Sequence, residues 1–311
     1  MKSTAAVIQL MGAEGIGPRR LSRLLRRVSA ESISVRDLVE MPDEELIGKY
    51  KFVPKGVETM RSLRGVAMLT ARELVENDVK MLTIGSPEYP SVLIERLGED
   101  GAPPVLFAHG NLDVLEWDSV GFCGPRNVSE AGATAVVELA AAVSKKQMAV
   151  VSGFAGGVDL AAHVSCLQSG GATVAVLPTG ILHFRPSAAF QELADESNFV
   201  ALSEFFPKAG WTVGYAMQRN RTVCGLSGAV VIIEPGEAGG TNHAGKAALE
   251  IGRPLFLART DGNAKPSAGE RFFLRRGAIL LVRDGDTWST ETLFEAAGGV
   301  NTARGGQESL F

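Results

Sequence analysis

Arg219, Asn220 and Arg221 stand together, and one short apolar run later the chain reads Glu234-Pro235-Gly236-Glu237-Ala238-Gly239-Gly240-Thr241. These are the parts of an anion site. A guanidinium presents planar, permanently charged donors to phosphate oxygens, and glycines at the start of a helix leave backbone N–H groups open at its positive end. Three further loops carry the same residue types. Gly124-Pro125-Arg126-Asn127 follows one apolar run, Ser152-Gly153-Phe154 follows a second, and Thr179-Gly180 leading to Arg185 follows a third. A pocket for a phosphate-bearing metabolite and a clamp on a nucleic-acid backbone need the same set, so these residues alone leave both open. Catalytic chemistry finds less support. The glycine loop lacks the Gly-Lys-Ser/Thr ending of a P-loop, no Gly-x-Gly-x-x-Gly opens a βαβ unit, and no Gly-x-Ser-x-Gly elbow occurs. His163 and His243 lack partners at metal-ligand spacing, so no metal is expected, and His183 reads as a packing or stacking residue. With no nucleophile beside a base, no catalytic residue is assigned and no cofactor is expected.

The elements that must hold these loops show in the apolar pattern. From residue 119, the runs "SVGFC", "MAVVSG", "ATVAVLP", "GAVVIIE" and "PLFLA" alternate with helical stretches. Strands that are apolar throughout, each followed by a helix, belong to a parallel sheet covered on both faces. The prediction is α/β: an extended Rossmann-like, doubly wound, mostly parallel sheet whose ligands bind at the carboxyl ends of the strands. Ahead of it, apolar residues at helical spacing, broken at "GIGP" and near Pro54, predict a small all-helical domain over 1–75. The sheet domain is expected over 76–295, and a polar, glycine-rich flexible tail over 296–311.

At 311 residues and 45% hydrophobic, the chain can bury one large core and one small one. A formal net charge of −4 supplies no global field toward nucleic acid, so any anion site must be local. Cys123, Cys166 and Cys224 lie far apart with no Cys-x-x-Cys pair, which predicts buried thiols in a reducing compartment. Neither a leader nor an apolar run of membrane length is seen, so a cytoplasmic protein without a membrane span is expected.

In their order, "GIGPRRLSRLLRR", "MLTIGSPEYPSVL", "APPVLFAHGNLDVL", "GPRNVSEAG", "SGFAGGVDLAAHVSCLQSGG", "LSEFFP" and "QRNRTVCGLSGAVVIIEPGEAGGT" resemble the motifs of the DNA-processing protein A (DprA/Smf) family over nearly the whole chain. The resemblance implies an extended Rossmann domain behind a sterile-alpha-motif-like or helix-hairpin-helix-like helical domain. It also implies a homodimer with a basic pocket for single-stranded DNA, which is handed to a RecA-type recombinase during natural transformation. By position, Arg126 matches an arginine that contacts DNA phosphate in the family, and Arg185 falls near a family lysine. Arg219, Asn220 and Arg221 match an arginine-asparagine-arginine motif, and Gly239, Gly240 and Thr241 fall on a serine-glycine-serine loop. Gly124, Asn127, Ser152, Gly153 and Phe154 complete the nucleic-acid-binding set expected from the matching loops. The chain departs from the family pattern at Gly156, at Ala216-Met217-Gln218 and at Asn242-His243-Ala244-Gly245.

A second reading stays open beside this one. A nucleotide-binding sensor or phosphoribohydrolase-like enzyme of the same Rossmann superfamily would use Glu234, Glu237 and Glu250 as its carboxylates. Arg219-Asn220-Arg221 together with the helical N-terminus favours the DNA-binding reading. The arginines of "GIGPRRLSRLLRR" fit either an auxiliary backbone contact or a solvated helix face.

Overall fold

The computed structural model describes residues 1–259, 265–285 and 287–298. Of the expected tail, 299–311 lie outside the described residues. Contacts gather the chain into two units, the first comprising Met1–His109, Thr179–Phe184 and Leu202–Gly210, the second Gly110–Pro178, Arg185–Ala201 and the chain from Trp211 onward.

The first unit opens with the helices α1 (Lys2–Gly12), α2 (Pro18–Ala30), α3 (Val35–Glu40), α4 (Asp43–Gly48), α5 (Pro54–Ser62) and α6 (Arg64–Glu76). It continues with β1 (Val79–Thr83), α7 (Ser91–Leu97) and β2 (Val105–Gly110), and β1 pairs antiparallel with β2. The sequence sets the start of α2: Pro18 occupies the first turn, where its missing N–H leaves nothing unpaired. Leu21, Leu24, Leu25 and Val28 then fall on one buried face, and the arginines fall outside it. Three of those arginines pair with carboxylates within the unit. Arg23 donates to Asp100 (Nε to Oδ1, 3.0 Å), Arg26 pairs with Glu99, and Arg27 reaches Glu31 at 2.8 Å while lying over the Tyr50 ring.

The second unit carries β3 (Ser119–Cys123), α8 (Glu130–Lys145), β4 (Ala149–Gly153), α9 (Val158–Gln168), β5 (Thr173–Val176) and the short α10 (Ala188–Gln191). β6 (Phe199–Ser203) leaves this unit for the first, and the chain returns with α11 (Val213–Leu226), β7 (Ala229–Ile233), α12 (Gly240–Glu250) and β8 (Leu255–Ala258). After these come α13 (Ala268–Leu274), β9 (Ile279–Leu281), the small antiparallel pair β10 (Arg283–Asp284) and β11 (Thr287–Trp288), and α14 (Glu291–Gly298).

Among the described residues, β5-β4-β3-β7-β8-β9 lie side by side in that order, every pair parallel. Val120, Phe122, Val150, Val231 and Phe256 bury against Val136, Leu139 and Val143 of α8 and Val158 and Cys166 of α9. With helices packed over it, the sheet needs no polar face, so its strands do not alternate. The doubly wound, Rossmann-like arrangement matches the expectation. From β3 the chain winds through β4 and β5 to one side, and from β7 through β8 and β9 to the other. The winding therefore reverses between β3 and β7, where loops diverge and a crevice opens past the strand ends. The pairing of Cys123 with Ile232 brings the exits of these two strands level.

All three cysteines are buried in this unit, and burial pushes the Cys166 and Cys224 thiols up to about 12. Such thiols stay protonated and inert at neutral pH. No described helix is long and apolar enough to cross a membrane.

Candidate functional site

A cavity of about 500 Å³ opens at the reversal between β3 and β7. Gly124, Pro125 and Arg126 leave β3 to form one wall, and Ala155 and Asp159, at the entry to α9, form the next. Trp211, Met217, Arg219 and Asn220 line it from α11 and the residues ahead of that helix, and Glu234, Gly239, Gly240 and Thr241 close it from the β7 exit and the start of α12. Both α9 and α12 begin at a glycine, Gly157 and Gly239, with positive φ (76° and 93°) and no side-chain cap. The start of α12 keeps its N–H groups for another acceptor, whereas at α9 the Val158 N–H already donates to the Pro125 carbonyl at 3.3 Å and Asp159 occupies the first turn. At Gly239 and Gly240 an added Cβ would meet nothing within 4 Å, so the cavity side of the loop is open. At Gly157, by contrast, a Cβ would strike the Pro125 and Arg126 carbonyls, so only glycine lets α9 begin this close to the β3 loop.

The carboxylates that share the cavity are already occupied. Glu234, held at φ 44°, accepts from the Ser129 backbone N–H at 3.1 Å and from the Ser129 hydroxyl, at the start of α8. A positive φ at a non-glycine residue is strained, and here it turns the side chain toward α8. Asp159 receives Arg219 at 3.3 Å, in a pair whose side chains are 7% and 10% exposed. Two anions that would repel a phosphate are thus engaged within the protein, and exposed Arg126 and the start of α12 are the donors that face the opening.

Of the residues expected from the sequence, Gly124, Arg126, Arg219, Asn220, Gly239, Gly240 and Thr241 line the cavity together. Arg126 is exposed, with its guanidinium carbon 5.6 Å from the centre of the Trp211 ring. Arg219 is buried and lies against Gly153, where a Cβ would overlap the guanidinium. Asn220 donates to the Gly240 carbonyl at 3.3 Å, and Asn242 to that of Gly236 at 3.2 Å, so two amides hold the glycine loop. Asn127, Ser152, Gly153, Phe154, Arg185 and Arg221 are not among the lining residues. Asn127 and Arg185 are exposed, and Arg221 pairs with Glu250 at 3.3 Å. Ser152 is buried and donates to the Phe122 carbonyl at 2.7 Å, while Phe154 packs on the Phe190 and His163 rings.

His163 ties these parts together. Its ring is buried, with Nε2 at 2.7 Å from the Gly153 carbonyl and Nδ1 beside the Thr173 hydroxyl. Burial pulls its pKa down to about 4, so the ring is neutral and carries one N–H. A carbonyl can only accept, which places that proton on Nε2, while the Thr173 hydroxyl lies between Nδ1 and the Val150 carbonyl, to which it donates at 2.9 Å. Both nitrogens are spent on structure.

Neither Asp159 nor Trp211 is among the residues expected from the sequence. An aromatic residue in the "GWTVGYAMQRNR" stretch, next to an expected phosphate motif, was the signal that could have drawn attention to the latter. Among the described residues no group of three or more His, Cys, Asp or Glu could hold a metal ion.

Residues 80–291 match the family described as DNA recombination-mediator protein A. The DNA processing protein DprA of Bacillus subtilis is 31% identical over 225 residues, covering 71% of this chain and 72% of that protein. The DprA of Streptococcus pneumoniae is 36% identical over 187 residues, 60% of this chain and 66% of its own length. The X-ray structure of the S. pneumoniae protein superposes with a TM-score of 0.69 at 25% identity, over 88% of this chain and 92% of that one. DNA processing protein A from Helicobacter pylori, whose structure concerns a single-stranded DNA binding mode, shares the fold with a TM-score of 0.55 at 24% identity, over 65% of this chain and 90% of that one.

Proposed function

Because the chain belongs to the DNA recombination-mediator protein A family, we propose that it binds single-stranded DNA across the ends of β3, β4 and β7, protects the strand, and helps load a RecA-type recombinase in recombination or natural transformation. The observation that carries the reading is the meeting of exposed Arg126 with the uncapped start of α12 on one open cavity. Charged and backbone donors of this kind hold phosphates without reading bases. Arg219 and Asn220 hold the frame, and Arg185 and Arg221 extend the track outside the cavity. The working form is a homodimer in the cytoplasm. The protein acts as a binder rather than a catalyst. What favours this is that Glu234 caps α8 and that His163 has both nitrogens engaged, leaving neither to move a proton for a substrate.

The test is a salt-titrated binding comparison of an oligothymidylate with a duplex of equal length, with particle mass measured in the same samples. The single strand is expected to bind more tightly, with affinity falling as salt rises. Equal affinity for both, or none for either, would refute the reading. Release of free base from nucleoside monophosphates would move the assignment to the enzyme of the same superfamily.

A further inference from the structure

We infer that Trp211 is a base-stacking platform at the mouth of the cavity, and that it makes the site selective for unpaired strands. The inference rests on the single-stranded DNA reading and deepens it. Trp211 is 49% exposed, an unusual state for the largest apolar side chain, and it lines the cavity beside Arg126. An indole left in water at the rim of an anion site, with a guanidinium over its ring, has the two components that hold one nucleotide: a flat π-face for the base and a cation for its phosphate.

The backbone beneath the platform is anchored. Trp211 directly precedes Thr212, whose hydroxyl caps α11 by accepting the Tyr215 N–H at 3.0 Å. The body of α11 is anchored in turn by the buried Arg219 pair with Asp159 and by Asn220 on Gly240. The backbone that carries the ring leaves this anchored helix one residue ahead of its cap, so little backbone freedom is lost when a base settles on the indole. In a duplex the faces of each base are already covered by its neighbours, so this contact is available only to an unpaired or splayed base. Phosphate contacts alone do not supply that discrimination.

The protein contains three tryptophans, Trp117, Trp211 and Trp288. In the full chain carrying W117F and W288F, Trp211 is the sole reporter, and its emission is expected to be quenched on saturation with an oligothymidylate. W211A is expected to weaken oligothymidylate binding, followed by fluorescence anisotropy, by about tenfold. W211F should restore most of the loss. An abasic phosphodiester chain of the same length should bind the wild type and W211A alike, since it offers phosphates and no bases. Anisotropy that reports binding while the Trp211 emission stays unchanged would overturn the inference and leave the binding reading standing. So would W211A weakening the abasic and the normal chain equally. Failure of the wild type to bind either chain overturns both readings.

Discussion

Arg126 and Arg219 line the same cavity, yet their surroundings give them opposite work. Arg126 is exposed and its removal strands no partner, whereas Arg219 is the buried counter-ion of Asp159 and lies against Gly153. Breaking a buried pair leaves an uncompensated charge and costs about 3–5 kcal/mol. Arg219→Ala should therefore shift urea unfolding to lower denaturant by that amount. Arg126→Ala should leave the midpoint unchanged and lower the slope of log affinity against log salt by about 0.7, the share of one single-strand phosphate. His163 gives a second residue-scale prediction, with a defined sign. Its folded pKa, about 4, lies below the unfolded value near 6.5, so between these pH values the unfolded chain binds the extra proton. The stability associated with the neutral ring is complete above about pH 6.5 and falls as pH drops toward 4, by up to about 3 kcal/mol. Melting wild type and His163→Gln at pH 7 and pH 5 should show the smaller pH loss in the variant, which has no imidazole to charge.

The start of α12 separates a structural role from a binding role at the scale of the element. A carboxylate in the first turn of a helix is stabilising by about 0.3–1 kcal/mol, and α12 has none there. Gly240→Glu has room for its Cβ, keeps the carbonyl that Asn220 uses, and fills the opening with negative charge. The variant should melt at the same or a higher temperature and lose oligothymidylate binding, a combination that general damage to the fold cannot produce. The elements were legible in the sequence where one physical rule fixed them. Fully apolar runs became the parallel strands, and the glycine turns fell at their carboxyl ends. Arg219 and Arg221 show where that legibility stopped. The two stand together in the sequence as one anion motif, but they lie inside α11. At about 100° per residue, positions two apart point roughly 200° apart, so one faces the cavity and the other Glu250. Burial decides the rest, because local sequence does not say that the partner of Arg219 is an aspartate sixty residues earlier. The same holds for the basic run of α2, where Arg23, Arg26 and Arg27 are met by Asp100, Glu99 and Glu31.

The charge of the whole molecule sets how strongly any one site can hold DNA. A chain with a net charge of −4 repels a polyanion at long range, and the local donors in and beside the cavity have to oppose that repulsion. A single cavity built from one exposed arginine and one open helix start should bind a short oligonucleotide weakly and with a shallow salt slope. In the proposed homodimer, a strand long enough to reach both sites converts the second engagement into an intramolecular step, which raises affinity by a factor of about a hundred or more without any new contact. The expected outcome is a step in affinity, rather than a gradual rise, as oligothymidylate length passes the span between the two sites. Arg126→Ala should weaken long strands more than short ones, since each long strand meets the substitution twice. Anisotropy titrations over a length series, with mass by light scattering on the same samples, check this directly. A mass of one chain with affinity that grows only in proportion to length would mean that each molecule holds DNA alone, and that protection of a long strand has to come from many weakly bound copies along it.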